Sequence, residues 1–179
     1  ISKSKKNFFI AVGRLTKQKN FSYLINEFAK FSNGNQDYNL LIFGEGEERK
    51  NLENQINTLN LNKKIFLMGF KENVYAYMKQ AKALILTSLW EDPGFVIIEA
   101  SMCNLFVISS NCKNGPSEFL NNGKGGILFE NNKINELKNS LEEFCLLNDK
   151  KKMILISKKN SRKYTLFSHF NYFKNILLS

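Results

Sequence analysis

The 179-residue sequence is poor in residues that cross-link or hold metal. Its three cysteines, Cys103, Cys112 and Cys145, form no CxxC pair, and its single histidine is His169. That excludes a disulfide framework and a zinc site as the basis of the fold. Long apolar runs are missing as well, none approaching the roughly 20 residues that span a bilayer, and no signal-like stretch follows Ile1. These absences point to the cytoplasm. With no Met at its start, the sequence reads as a fragment of a longer soluble or peripheral protein. No internal repeat or low-complexity linker divides it. At 43% hydrophobic and 23% charged residues, a chain of this length forms one compact α/β domain.

Acidic residues are scarce in one place above all. Residues 149–179 hold eight Lys or Arg against a single acid, so most of the net charge of +10 lies in this tail and the body, residues 1–148, is only mildly basic. In the tail, Met153, Ile154, Leu155, Ile156, Phe167, Phe170, Phe173, Ile176 and Leu177 recur at roughly helical spacing. The pattern describes two amphipathic helices with basic faces in water, packed on the domain or toward a further one. An anionic lipid surface, with peripheral contact at the inner face of the membrane, is the other reading. Nucleic acid is not expected, because no zinc knuckle, recognition helix or RNP-like string accompanies the charge.

Along the body, apolar β-branched runs alternate with helical patterns. NFFIAVG precedes a helix over residues 20–31, YNLLIFG one over 47–59, KIFLMG one over 73–79, and ALILTS one over 93–103. FVISS then precedes a short helix over 116–120 and GILF a longer one over 133–147. Strands apolar along their whole length are those covered on both faces by crossover helices, so the sequence predicts a parallel, doubly wound, Rossmann-like sheet. In such sheets ligands bind beyond the carboxyl ends of the strands. The turns there are GRLTKQKN, GEGEE, MGFKEN, SLWEDPG and SSNCKNGPSE.

The fourth turn and its helix, WEDPGFVIIEASMC, hold Glu99 inside a run that otherwise reads as core, with Glu91 eight positions earlier. Asp92 is expected to cap a helix whose first turn begins at Pro93, leaving the amides near Gly94, Phe95 and Val96 facing outward. With the helix dipole they make a phosphate site. Glu99 would lie about 9 Å along the axis, and carboxylates on either side suit the hydroxyls of a ribose and of a sugar. Gly13 opens the first turn, where Arg14 can grip a phosphate in a fork and Lys19 can add a point charge, with Lys17 spare. This fits a nucleoside diphosphate sugar. Glu99 as a merely paired carboxylate, Glu91 as an ordinary loop acid, and Arg14 and Lys19 as solvated charges are the plainer readings. Glu118 reads as an acid satisfying a helix dipole, and Trp90, His169 and the cysteines as structural.

SLWEDPGFVIIEA resembles the Glu-seven-residues-Glu signature of retaining family-four glycosyltransferases, which have the two-Rossmann-domain GT-B fold. VGRLTKQKN, IFGEGEERKNLE, IFLMGF and NCKNGPSEFLNNGKGGILF resemble the accompanying segments in the same order, over roughly residues 8–144. The resemblance implies the C-terminal, donor-binding half of a surface-glycan enzyme transferring a hexose or N-acetylhexosamine to a glycan or lipid-linked acceptor. It implies that Arg14 and Lys19 bind the donor diphosphate and that Phe70 lies beside the base. It further implies that Glu91 holds the transferred sugar, that the backbone of Gly94, Phe95 and Val96 meets sugar and phosphate, and that Glu99 holds the ribose. No metal or cofactor is expected, and a UDP-sugar is preferred over a GDP-sugar as donor. The chain departs from the family where many members have Gly-Phe-Gly after the first Glu and it has Asp92-Pro93-Gly94. A nucleotide-sugar epimerase and a non-catalytic nucleotide or nucleic-acid module are the alternatives; the first lacks spaced carboxylates in this loop and the second leaves Glu99 unexplained.

Overall fold

A computed structural model describes residues 7–35 and 37–164. Six parallel strands form one sheet in the order β3-β2-β1-β4-β5-β6. They are β1 (Asn7–Val12), β2 (Tyr38–Phe43), β3 (Ile65–Gly69), β4 (Ala83–Leu86), β5 (Phe106–Ser110) and β6 (Ile127–Phe129). Between and after them run α1 (Phe21–Gly34), α2 (Arg49–Thr58), α3 (Tyr75–Met78), α4 (Phe95–Met102), α5 (Pro116–Phe119), α6 (Glu136–Leu146) and α7 (Lys150–Ser161). The doubly wound sheet expected from the sequence is the one observed.

Alternation along the strands divides the core between the two faces. Phe9, Ala11, Ala83 and Ile85 meet α1, α2 and α6 on one side, where Phe9 stacks on Tyr38 at 4.9 Å and meets the edge of Phe144 at 5.6 Å. Ile10, Leu84 and Leu86 face Met78, Ile97, Ala100 and Phe119 on the other. Every one of these strand residues is essentially excluded from solvent, which is why the strands read as unbroken apolar runs.

The first part of the tail packs on the domain, by a contact its sequence does not show. Its first helix exists as α7, capped by Asp149, whose side chain accepts from the Lys152 amide. The residues α7 buries most deeply are Ser157 and Ser161, whereas Leu155 is 64% exposed. Ser157 Oγ lies 2.5 Å from Ser101 Oγ of α4. The contact with α4 is a close approach of small residues, while Met153 and Ile154 of the expected apolar stripe pack against the core. Phe167, His169, Phe170, Phe173, Ile176 and Leu177 lie outside the described residues. Among the described residues no helix is long and apolar enough to cross a membrane.

Candidate functional site

All six strands send their carboxyl ends to one rim, and strand order reverses between β1 and β4. The reversal leaves a crevice between the turn after β1 and the turn after β4. Backbone bonds fix the first turn to the second: Gly13 N donates to Phe43 O at 3.0 Å, Leu15 N to Glu45 O at 2.9 Å, and Glu48 N to Leu15 O at 2.9 Å. Others fix the first turn to the fourth, with Leu89 N donating to Gln18 O at 2.8 Å and Gln18 Nε2 to Trp90 O at 2.8 Å. The fourth meets the fifth through Glu91 N and Lys113 O at 3.3 Å.

Across the crevice Lys19 and Glu91 meet. Lys19 Nζ is 2.6 Å from Glu91 Oε1, and the side chains are only 15% and 4% exposed. Ser88 Oγ donates to the same oxygen. A buried carboxylate requires such partners, since desolvation without them costs several kcal/mol. A Cβ on Gly13 would stand 3.2 Å from the Lys19 side chain, and one on Gly94 would stand 3.1 Å from that of Glu91. The two glycines therefore flank the ion pair and leave it room. Arg14 is exposed, and its side chain has no hydrogen-bond or ion-pair partner among the described residues, although its carbonyl accepts from Thr16 N at 2.8 Å. The first-turn cations are thus unequal: Lys19 is held and Arg14 is free.

The fourth turn corrects the expected helix start. α4 begins at Phe95, and the residue ahead of it is Gly94 at φ 84°, ψ 47°, with no side-chain cap. Asp92 is exposed, is joined to Pro93 by a cis peptide, and does not cap the helix. A left-handed turn at Gly94 takes up the change of direction that a capped start at Pro93 would have made. The amides of Gly94, Phe95 and Val96 have no protein acceptor among the described residues, as at any uncapped helix start. Glu99 is consequently four residues from the first helical residue, about 6 Å along the axis rather than 9 Å.

Glu99 is half-buried and accepts a hydrogen bond from Tyr75 Oη of α3 at 3.3 Å. The Glu99 charge, more than partial burial, raises the Tyr75 phenol above its usual pKa. Phe70, just past β3, is 72% exposed, and Phe95 at the start of α4 is 59% exposed. Trp90, expected to be structural, has its side chain 52% exposed while its carbonyl does the tying.

Beyond β5, an open cavity of about 760 Å3 is lined by Asn111, Cys112, Lys113, Glu118 and Tyr164, among others. Burial raises the Cys112 thiol pKa, and the Glu91 charge adds to the shift. Gly115, at φ 122°, has Pro93 O where its Cβ would be, 2.0 Å away, which presses the fifth turn against the fourth. Glu118 does stand in the first turn of α5, and it also accepts from Tyr164 Oη. Ser88, Gln18 and Tyr75 are contributors that sequence reasoning missed. Only Thr87-Ser88, polar residues closing an apolar strand, left a signal.

A parallel sheet with this reversal and a helix start at its rim define the doubly wound class of α/β domain, in which ligands bind at the reversal. The chain belongs to the glycosyl transferases group 1 family, whose model matches residues 1–163. It is 34% identical over 143 residues to the N-acetylgalactosamine-N,N'-diacetylbacillosaminyl-diphospho-undecaprenol 4-alpha-N-acetylgalactosaminyltransferase of Campylobacter jejuni, covering 78% of this chain and 38% of that protein. It is 33% identical over 178 residues to the UDP-Gal:alpha-D-GlcNAc-diphosphoundecaprenol alpha-1,3-galactosyltransferase of Escherichia coli, covering 96% and 44%. The chain thus spans less than half the length of these curated relatives. The structure of HepE from Anabaena in complex with UDP superposes with a TM-score of 0.85 at 22% identity, over 96% of this chain and 49% of that one. That likeness shows the fold, a Rossmann-like domain of the GT-B type.

Proposed function

We propose that the chain is the nucleotide-sugar-binding half of a retaining glycosyltransferase, transferring a hexose or N-acetylhexosamine from a UDP-sugar to a glycan or lipid-linked acceptor. The observation that carries this is the Lys19–Glu91 pair, buried across the strand-order reversal beside unpartnered amides. An ammonium has three donors, and Lys19 Nζ donates to one described acceptor, Glu91 Oε1, leaving two for phosphate oxygens. Glu91 uses Oε1 for both Lys19 and Ser88, so that among the described residues Oε2 has no donor and can accept from a sugar hydroxyl. Arg14 and the amides of Gly94, Phe95 and Val96 supply the remaining donors. Together they stabilise the negative charge that grows on the diphosphate as the glycosidic bond breaks, the work a divalent ion does elsewhere.

Glu99 would hold the ribose, and Phe70 would lie beside the base. UDP is preferred because it is the nucleotide in the HepE complex and the donor named for the Escherichia coli relative. The undecaprenol-linked substrates in the names of both relatives support a lipid-linked acceptor presented at a membrane surface. Further parts of the site would come from a second, N-terminal domain.

Calorimetric titration with UDP, GDP and uridine tests the reading. Arg14→Ala is expected to weaken UDP about tenfold and leave uridine unchanged, since a charge-assisted bond to phosphate is at stake. Glu99→Gln is expected to weaken both ligands by roughly 10- to 100-fold, because its partner lies on the nucleoside. A chain with no affinity for any of the three would sink the proposal.

A further inference from the structure

We infer that Asn131, in the turn after β6, is a positioning residue that sets the Lys19–Glu91 pair in register across the crevice. The inference rests on that crevice being the donor site. The Asn131 carboxamide has all its hydrogen-bonding capacity engaged within the protein. Nδ2 donates to Thr87 O at 2.9 Å and to Ser88 O at 2.7 Å. Oδ1 accepts from Asn20 Nδ2 at 3.2 Å and from Asn132 N at 2.9 Å. A single side chain thereby joins the end of β4 to the end of the first turn.

The residues it holds are the ones that hold the ion pair. Thr87 Oγ1 donates to Lys19 O at 2.8 Å, fixing the backbone that carries the ammonium, and Ser88 Oγ donates to the Glu91 carboxylate. Thr87 and Ser88 are 1% and 0% exposed. Ser88 O also accepts from Ser110 Oγ at 2.8 Å, so the peptide that Asn131 grips is anchored to β5 as well. Asn20, which stands between Lys19 and α1, also donates to Asn132 Oδ1 at 2.8 Å. None of the Asn131 hydrogen bonds goes to Lys19 or Glu91, and it acts through the two hydroxyl-bearing residues that bond to them.

An Asn131→Asp exchange keeps the shape and replaces two donors with an oxygen that repels the Thr87 and Ser88 carbonyls. Amide hydrogen exchange at Leu89, which bonds to Gln18 O across the two turns, reads the clasp without any ligand. Exchange is expected about tenfold faster in N131D, the effect of losing ordinary hydrogen bonds, with the Gly13 amide unchanged because its acceptor is on β2. Asn20→Gly keeps the left-handed backbone, removes the first-turn bonds to Asn131 and Asn132, and is expected to act in the same direction; it carries the test if N131D does not fold. Titration of N131D is expected to show UDP weakened about tenfold and uridine weakened less, since misplacing Lys19 removes a charge-assisted bond to phosphate. Leu89 exchange within about twofold of the parent in a folded variant would overturn the inference, as that is below the effect of one hydrogen bond. A parent chain that binds no UDP would overturn the donor-site reading, and the exchange rates would still decide whether the clasp exists.

Discussion

Lys19 and Glu91 are 72 residues apart in sequence and in contact in the fold. Burial makes their energetics asymmetric. Removing one partner leaves the other charged and desolvated, whereas replacing both by apolar groups can be nearly neutral. Lys19→Met is therefore expected to destabilise the chain by roughly 3 kcal/mol, and Lys19→Met with Glu91→Leu by clearly less, while either abolishes donor binding. Urea unfolding of the single and double variants checks the first part and calorimetry the second. A double variant as unstable as the single one would show that packing, not charge, fixes the crevice. In the sequence Arg14 and Lys19 are two cations on one turn, a fork and a point charge for the same phosphates. What separates them is whether a carboxylate from another turn reaches them, and that depends on the strand-order reversal, which local spacing does not encode.

Among the elements, the strands were legible because each is apolar on both faces, and that pattern survives without knowledge of neighbours. Helix starts were less so. The helix after β4 was read from Asp92 and Pro93, yet the glycine that follows them makes the turn and α4 begins at Phe95. Asparagine hid much of the rest. Eight asparagines among the described residues have positive φ, including Asn20, Asn132 and Asn135. They do the work usually signalled by glycine, so the turns they make carry no glycine in the sequence. The seam between α4 and α7 was invisible for a related reason, since serines there replace the apolar stripe that marks a packed helix. On its other side Ser157 meets the segment before β6, where a Cβ on Gly125 would stand 3.0 Å from the Ser157 backbone, so the residue has no slack. Ser157→Leu is expected to cost about 1–3 kcal/mol by overpacking, since the Ser101 hydroxyl keeps its bond to Ile97 O. The melting temperature measures it; an unchanged value would mean that α7 can lift from α4 without loss.

For the molecule as a whole, the comparison with its relatives bears on what the chain can do alone. Binding needs the one rim described above. Transfer needs the acceptor placed against the donor with water excluded, and most of the rate of a group transfer comes from such positioning. The chain by itself is expected to bind UDP and to transfer no sugar. A radiolabelled UDP-sugar offered with membrane extract, beside the same assay on a protein of the relatives' full length, distinguishes the two. Robust transfer by the chain alone would show that these residues contain the whole reaction centre.

Because every strand points the same way, the molecule has a working end and a blank end. The link from α2 back into β3 lies at the blank end, and Asn62 and Lys63 there are exposed. A fluorophore, an epitope or a surface tether attached at that link would leave the crevice facing solution. The parallel sheet that gathers the crevice turns on one rim thus also supplies a handle for immobilising the chain, and with the proposed donor site such a surface would report nucleotides.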